Sequence, residues 1–445
     1  MDHTQRLSRR TFLKGAAMGV GVAVLAGCAP MPASTGGGDA GAGASGETTT
    51  IAFLTQGGAD SEARYNPIYD MFKEQDDAVN VDFIWHPGGA TDIQQKLLTM
   101  IAGGEAPDMY WTHTYINPGL AKRNVPLALD DLFASDTSWS RDDYFAGSIQ
   151  DFQVAGVQYA MPRETTSTIM IYNKTLLEDS GAALPSEGWT WDDFVEIART
   201  VTKGDGAEKV YGMGNFNVNA YTFVRCWQLG GDVLNEDRTQ YTMDQGGSVD
   251  AVAQIQSLIH DEGVHASAAS LGDRPLTEVF LTGNIGMFPQ FSVFSGILPA
   301  EFEWDIAHMP HNADEVKTTR VASAGHSIYS GTEKVDAAWA WLRMVESEAA
   351  FKHLAETGLS VPAHQAVANS PEYLDPNQPP ASKQIFLDAL NYGRPEPVAG
   401  DWIGVHGEIR TALEGVYGVS KRAPQEALSE IADRVNELIS TEPSA

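Results

Sequence analysis

The chain predicts an α/β fold built on a parallel sheet. Three observations carry that prediction. Apolar runs of strand length alternate with single helical stretches, the intervals between them are nearly even, and turn residues punctuate them. Ile51-Ala52-Phe53-Leu54 is the first run, and a helical stretch from about Ser61 to Lys73 follows it. Val81-Asp82-Phe83-Ile84-Trp85 is the second, with a helix near Asp92 to Ala102 behind it. Met109-Tyr110-Trp111 is the third. Ligands on such sheets gather at the carboxyl ends of the strands. Those ends are Thr55-Gln56-Gly57, Trp85-His86-Pro87-Gly88 and Trp111-Thr112-His113, so polar and aromatic groups converge where a pocket is expected.

Further along, Phe152 to Tyr159 reads as a hairpin turning at Gly156. It leads through Met161-Pro162-Arg163-Glu164-Thr165-Thr166 to a β-branched run, Thr168 to Tyr172. A helix over Trp191 to Val201 starts at Thr190, with Asp193 placed to complete a capping box. A last helix starts at Pro424, with Ala427, Leu428, Ile431, Val435 and Leu438 on one stripe. That stripe reads as packing.

The amino end carries two processing motifs. Residues 8–14 read Ser-Arg-Arg-Thr-Phe-Leu-Lys, a twin-arginine signal centred on Arg9 and Arg10. Residues 25–28 read Leu-Ala-Gly-Cys, a lipobox ending at Cys28. The apolar stretch between them is too short to span a bilayer. Residues 1–27 are therefore expected to be a cleaved signal peptide, and residues 28–49 a flexible tether lipidated at Cys28. A coil of this length reaches roughly 25 Å. The expected location is the cell surface or periplasm, anchored to the membrane. The alternative is a stray thiol beside a short buried helix. Gly36 to Gly41 formally matches a dinucleotide fingerprint, but no strand precedes it and no helix follows. If Cys28 is acylated, only Cys226 remains of two cysteines, in an apolar helical stretch that reads as buried.

The formal net charge of −30 argues against nucleic-acid or anionic-lipid partners. It fits a saline medium, and acidic solubility explains it equally well. No catalytic constellation holds: G-x-S-x-G, the P-loop and H-E-x-x-H are all absent from the sequence. His308-Met309-Pro310-His311 lacks a third ligand and reads as a loop rather than a metal site. No cofactor is expected.

A set of weak motifs, in order, gives the chain a resemblance. They are Gly104-Glu105-Ala106-Pro107-Asp108, Val125 to Leu132, Tyr159-Ala160-Met161-Pro162, Ile171-Tyr172-Asn173-Lys174 and Trp189 to Phe194. Phe280 to Met287, Ala337-Ala338-Trp339 and Gly358 to Pro362 complete it. The chain resembles the extracellular solute-binding proteins of ABC importers, in the branch of the sugar and maltodextrin binders. The resemblance implies an α/β, two-lobe, periplasmic-binding-protein-like clamshell of type II, with a hinge of about three chain crossings. It places residues 50–162 plus 320–372 in lobe 1 and residues 163–319 plus 373–445 in lobe 2. It also implies a sugar ligand between the lobes, a membrane permease as partner, and a monomer.

A sugar needs an aromatic face for its C–H surface and directional groups for its hydroxyls. Strand ends and family positions nominate Gln56, His86, Trp111, His113, Arg163, Glu164, Thr166, Gln290, Phe291, Gly325, His326, Trp402 and His406. Trp111 or Trp402 would stack the sugar, and Arg163, Gln290 and His113 would orient it. Each position has a structural alternative, and Arg163 and Glu164 also read as a pair across the hinge. Thr166 stands where a maltodextrin-binding relative has a carboxylate, which speaks against maltodextrin itself. Trp189, Trp191, Trp304, Trp339 and Trp341 read as core. Two other functions stay open: an exported carbohydrate-active enzyme, and a sugar-binding sensor or adhesin without transport.

Overall fold

A computed structural model describes residues 48–214, 218–271, 274–291, 295–357 and 361–440. The processing motifs at Arg9, Arg10 and Cys28 lie outside these. The strands in chain order are β1 (Thr49–Gln56), β2 (Val79–His86), β3 (Met109–His113), β4 (Gln153–Val154), β5 (Val157–Gln158) and β6 (Met161–Asn173). Then come β7 (Tyr211–Gly214), β8 (His265–Ala266), β9 (Ile285–Phe291), β10 (Trp304–Ala307), β11 (Thr319–Ile328), β12 (Val361–Pro362) and β13 (Gly393–Arg394). The main path of the sheet runs β2-β1-β3-β11-β6-β9-β7-β8.

β1 pairs in parallel with β2 and β3, as the alternation of apolar runs and helices requires. β7 likewise pairs in parallel with β8 and β9. Between these parallel groups stand two long antiparallel strands, β6 and β11, which pair with each other. One end of β11 takes β3, and one end of β6 takes β9 and β10. Two strands thus run from one half of the sheet into the other.

Each half buries its own core. In the first, Ile51, Phe53, Tyr65, Phe72, Trp341 and Phe351 cluster, beside a layer of Leu54, Ile93, Leu97, Tyr110 and Leu120. In the second, Trp191, Phe194, Phe223, Trp227, Ile255, Leu413 and Leu428 cluster. Ile171, Phe280, Phe288, Trp304 and Phe386 form a layer beside them. All five tryptophans assigned to the core from sequence are buried.

Several elements differ from the sequence reading. β6 starts at Met161, well before the β-branched run, because its buried polar residues find partners, Arg163 in the Tyr65 hydroxyl and Thr166 in the Ala322 carbonyl. The helix expected from Pro424 is two helices, Pro424–Glu430 and Ala432–Ser440, meeting at Ile431. His308 is not a solvated loop histidine: it is half-buried, and its Nδ1 lies 2.7 Å from the Tyr392 hydroxyl. Thr190 caps its helix as expected, its hydroxyl accepting from the Asp193 N–H at 3.1 Å while Asp193 accepts from the Thr190 N–H at 2.8 Å.

Candidate functional site

Side chains converge beside the paired strands. On β6 and β11, successive side chains point to opposite faces. Arg320, Ala322 and Thr166 share one face, and Val321, Ser323 and Thr165 share the other. Arg320 forms an ion pair with Glu396, which follows β13 along the edge of β11. The second oxygen of Glu396 accepts from the Trp402 indole N–H at 2.8 Å and meets His406 Nε2 at 2.6 Å. Trp402 and His406 stand one turn apart on the helix Trp402–Tyr417, whose cap is Asp401.

Aromatic rings surround this network. Tyr115, just past β3, stacks on His406 with ring centroids 5.7 Å apart. His113, the last residue of β3, lies 4.4 Å from the Tyr115 ring. Phe291, the last residue of β9, carries the Arg320 guanidinium 4.7 Å above its ring. His113 and Tyr115 come from the first half of the sheet, and Phe291, Trp402 and His406 from the second. His113, Tyr115, Phe291 and His406 are half-buried.

The electrostatics follow from burial and charge. Burial drives His113 down to about 3, with the Arg320 charge working in the same direction, so its imidazole is neutral. Burial works to raise the Glu396 carboxyl, but Arg320, His406 and Trp402 together hold it well below the usual carboxylate range. The guanidinium is therefore matched by a carboxylate beside it, and the cluster offers aromatic faces and neutral polar groups rather than an unopposed charge.

The other face borders a groove of about 460 Å³. Thr114, Phe145, Gln150, Asp151 and Gln153 line it from the first half, and Leu390, Asn391 and Glu396 from the second. Thr165 and Val321, from the crossing strands, form its floor. Asp151 Oδ2 accepts from the Ser323 hydroxyl at 2.6 Å, and the Thr114 hydroxyl, 3.4 Å from the same oxygen, donates to the Ser323 carbonyl at 2.8 Å.

The structure brings His113, Phe291, Trp402 and His406 together around Arg320, with Gln290 next to Phe291 at the end of β9. Gln56 and His86 sit side by side at the ends of β1 and β2, the Gln56 amide donating to the Gly88 carbonyl at 2.8 Å. The remaining nominees have other places. Arg163 is buried, donating to Glu164 at 2.8 Å and to the Tyr65 hydroxyl at 2.6 Å within the first half. His326 is fully buried, its Nδ1 2.6 Å from Glu346 and its ring 5.0 Å from that of Phe53. A Cβ on Gly325 would fall 2.0 Å from the Met161 carbonyl oxygen, so that glycine serves strand pairing at a bulge. Thr166 donates to the Ala322 carbonyl at 3.0 Å.

The two tryptophans expected to stack a sugar are both buried, Trp111 at 3% exposure and Trp402 at 2%. The half-buried aromatic residues of the cluster are Tyr115 and Phe291 instead. Sequence reasoning missed Tyr115, Asp151, Arg320 and Glu396. Tyr115 lies two positions past His113, and that spacing was a usable signal. Glu396 sits between Pro395 and Pro397 with no periodicity to mark it, and its ion partner is 76 residues away. Among the described residues no group of three or more His, Cys, Asp or Glu is placed to hold a metal.

This fold, with side chains from both halves converging between two crossing strands, is that of a solute receptor. The chain belongs to the bacterial extracellular solute-binding protein family, whose profile matches residues 35–350. Among curated proteins it is similar to the diacetylchitobiose-binding protein DasA of Streptomyces coelicolor, 24% identical over 361 residues, covering 78% of this chain and 80% of that one. Among solved structures it is similar to the ABC substrate-binding protein Lmo0181 of Listeria monocytogenes in complex with cycloalternan. There the TM-score is 0.81 and the identity 24%, covering 88% of this chain and all of that one. UgpB of Mycobacterium tuberculosis in complex with glycerophosphocholine gives a TM-score of 0.77 at 20% identity, covering 88% of this chain and 98% of that one. These likenesses establish the two-lobe, type II fold.

Proposed function

We propose that the protein is a lipid-anchored receptor of an ABC importer, binding a neutral mono- or oligosaccharide between its lobes and delivering it to a membrane permease. The observation that carries this reading is the cluster of His113, Tyr115, Phe291, Arg320, Glu396 and His406, drawn from both halves. Half-buried rings suit the C–H face of a sugar, and a neutral imidazole beside a matched ion pair suits hydroxyls. Arg320 already holds Glu396, which favours a neutral ligand over an anionic one. The relatives named for diacetylchitobiose and cycloalternan support the sugar class. Lobe 1 would comprise residues 50–162 plus 320–372, and lobe 2 residues 163–319 plus 373–445. The same reading makes the protein a monomer without catalytic activity.

A thermal-shift screen over neutral oligosaccharides, uronates, glycerophosphodiesters and polyamines tests it. A bound sugar at about a hundredfold its Kd adds roughly 2.7 kcal/mol of stability. Phe291→Ala should abolish that shift. Stabilisation by a polyamine or glycerophosphodiester alone, with no sugar responding, overturns the sugar assignment. The anchor has its own test. Cys28→Ala should be exported yet released from the membrane, and retention of that variant through a carbonate wash removes the lipid from the proposal.

A further inference from the structure

The groove on the opposite face of the crossing strands meets the cluster just described at Glu396, and the rest of its lining has a chemistry of its own. Its volume, about 460 Å³, lies within the range of small-molecule pockets, about 300–1,000 Å³. Gln150, Gln153 and Asn391 offer neutral amides, while Phe145 and Leu390 supply apolar wall. Glu396 also borders it, but both its oxygens are engaged by Arg320, Trp402 and His406. Asp151 differs. Ser323 fixes its orientation through Oδ2 at 2.6 Å, and Oδ1 has no hydrogen-bond partner among the described residues. A carboxylate held in one rotamer with one oxygen left over is an acceptor built for a donor.

We propose that this groove is a second binding site, for a small neutral polyol whose hydroxyl donates to Asp151 Oδ1. The class follows from the lining. Amides and a single acceptor match hydroxyls that both donate and accept, and the apolar wall takes the carbon skeleton. A polyanion would meet the carboxylate, and a polycation would meet Arg238 at the rim. Because the walls come from both halves of the sheet, an occupant binds one arrangement of the halves better than another. Occupancy is therefore coupled to solute binding on the other face, reciprocally. The proposal goes beyond the solute-receptor reading and does not need the solute to be known.

The test titrates glycerol, sorbitol and myo-inositol calorimetrically into the purified protein with no other ligand present, with spermidine as the cationic control. At least one polyol is expected to bind. Asp151→Ala should weaken it about tenfold or more, the size of one hydrogen bond to a charged group. Leu390→Trp, which fills the groove from its other wall and leaves the Asp151 side chain unaltered, should abolish binding and guards against a folding defect in the first variant. Phe291→Ala, in the solute cluster, should leave polyol affinity unchanged while removing any sugar response. Failure of all three polyols to bind, binding of spermidine alone, or loss through Phe291→Ala with Asp151→Ala unaffected would each overturn the second site. Loss of the sugar response alone would bear only on the receptor reading.

Discussion

Single residues set how stability depends on pH, and His113 and Asp151 pull in opposite directions. Burial holds folded His113 at about 3, against a usual value of 6.5. As pH falls through that window, the unfolded chain takes up a proton that the folded one refuses, so stability is lost. Asp151 has the reverse sign. Burial raises it to about 6 from a usual 3.8. Between those values the folded state keeps a proton that the unfolded state has released, so this group's contribution fades as pH rises. Urea unfolding across that range separates them: His113→Gln should flatten the acid limb of the stability curve, and Asp151→Asn should steepen it. Unchanged slopes in both variants would contradict the burial argument. The ion pair offers a harsher experiment. Arg320→Met leaves the Glu396 carboxylate buried beside histidine and indole only, and breaking such a pair costs about 3–5 kcal/mol. A strand end nominated His113, and the family resemblance nominated Phe291, Trp402 and His406, which the structure places in one cluster. Arg320 and Glu396 were not nominated, since nothing in a linear pattern links an arginine to a carboxylate held between two prolines.

At the scale of elements, the strands that alternate with helices were readable and the crossing strands were only half so. The reason is polarity. All thirteen residues of β6 are buried, yet its first half reads Arg163-Glu164-Thr165-Thr166-Ser167, a composition that normally signals a loop. Those side chains find partners elsewhere in the fold: Arg163 with the Tyr65 hydroxyl, Thr166 with the Ala322 carbonyl, Ser167 with the Phe386 carbonyl. β11 carries the complementary constraint. Its register against β6 shifts between Ala324 and Gly325, and Gly325 lies against the Met161 backbone with no room for a side chain. Gly325→Ala must push the strands apart, at a cost of about 1–3 kcal/mol. A denaturation midpoint equal to that of the parent would show that the bulge yields. Glycine at this position was nominated from sequence as a ligand contact; its role is to let two backbones meet.

For the molecule as a whole, the two cores and the two strands between them determine what kind of motion is available. Each half has a large buried cluster of its own, so each can move largely as a body, while Val361 and Ala368 share a further cluster with Phe386 and Leu387 beside the crossing strands. The chain that joins the halves runs through β6, β11 and the segments beside them. A solute touching His113 and Tyr115 from one half, and Phe291 and His406 from the other, stabilises the arrangement in which all four touch it. It shifts the population by its differential affinity for that arrangement and by no more. Small-angle scattering reads this directly. The radius of gyration should fall when the stabilising sugar is added to the parent protein, and it should stay fixed for Phe291→Ala at the same sugar concentration. A ligand that raises the melting temperature of the parent while leaving its radius of gyration unchanged would mean that binding is confined to one half, and the clamshell account of this receptor would fail.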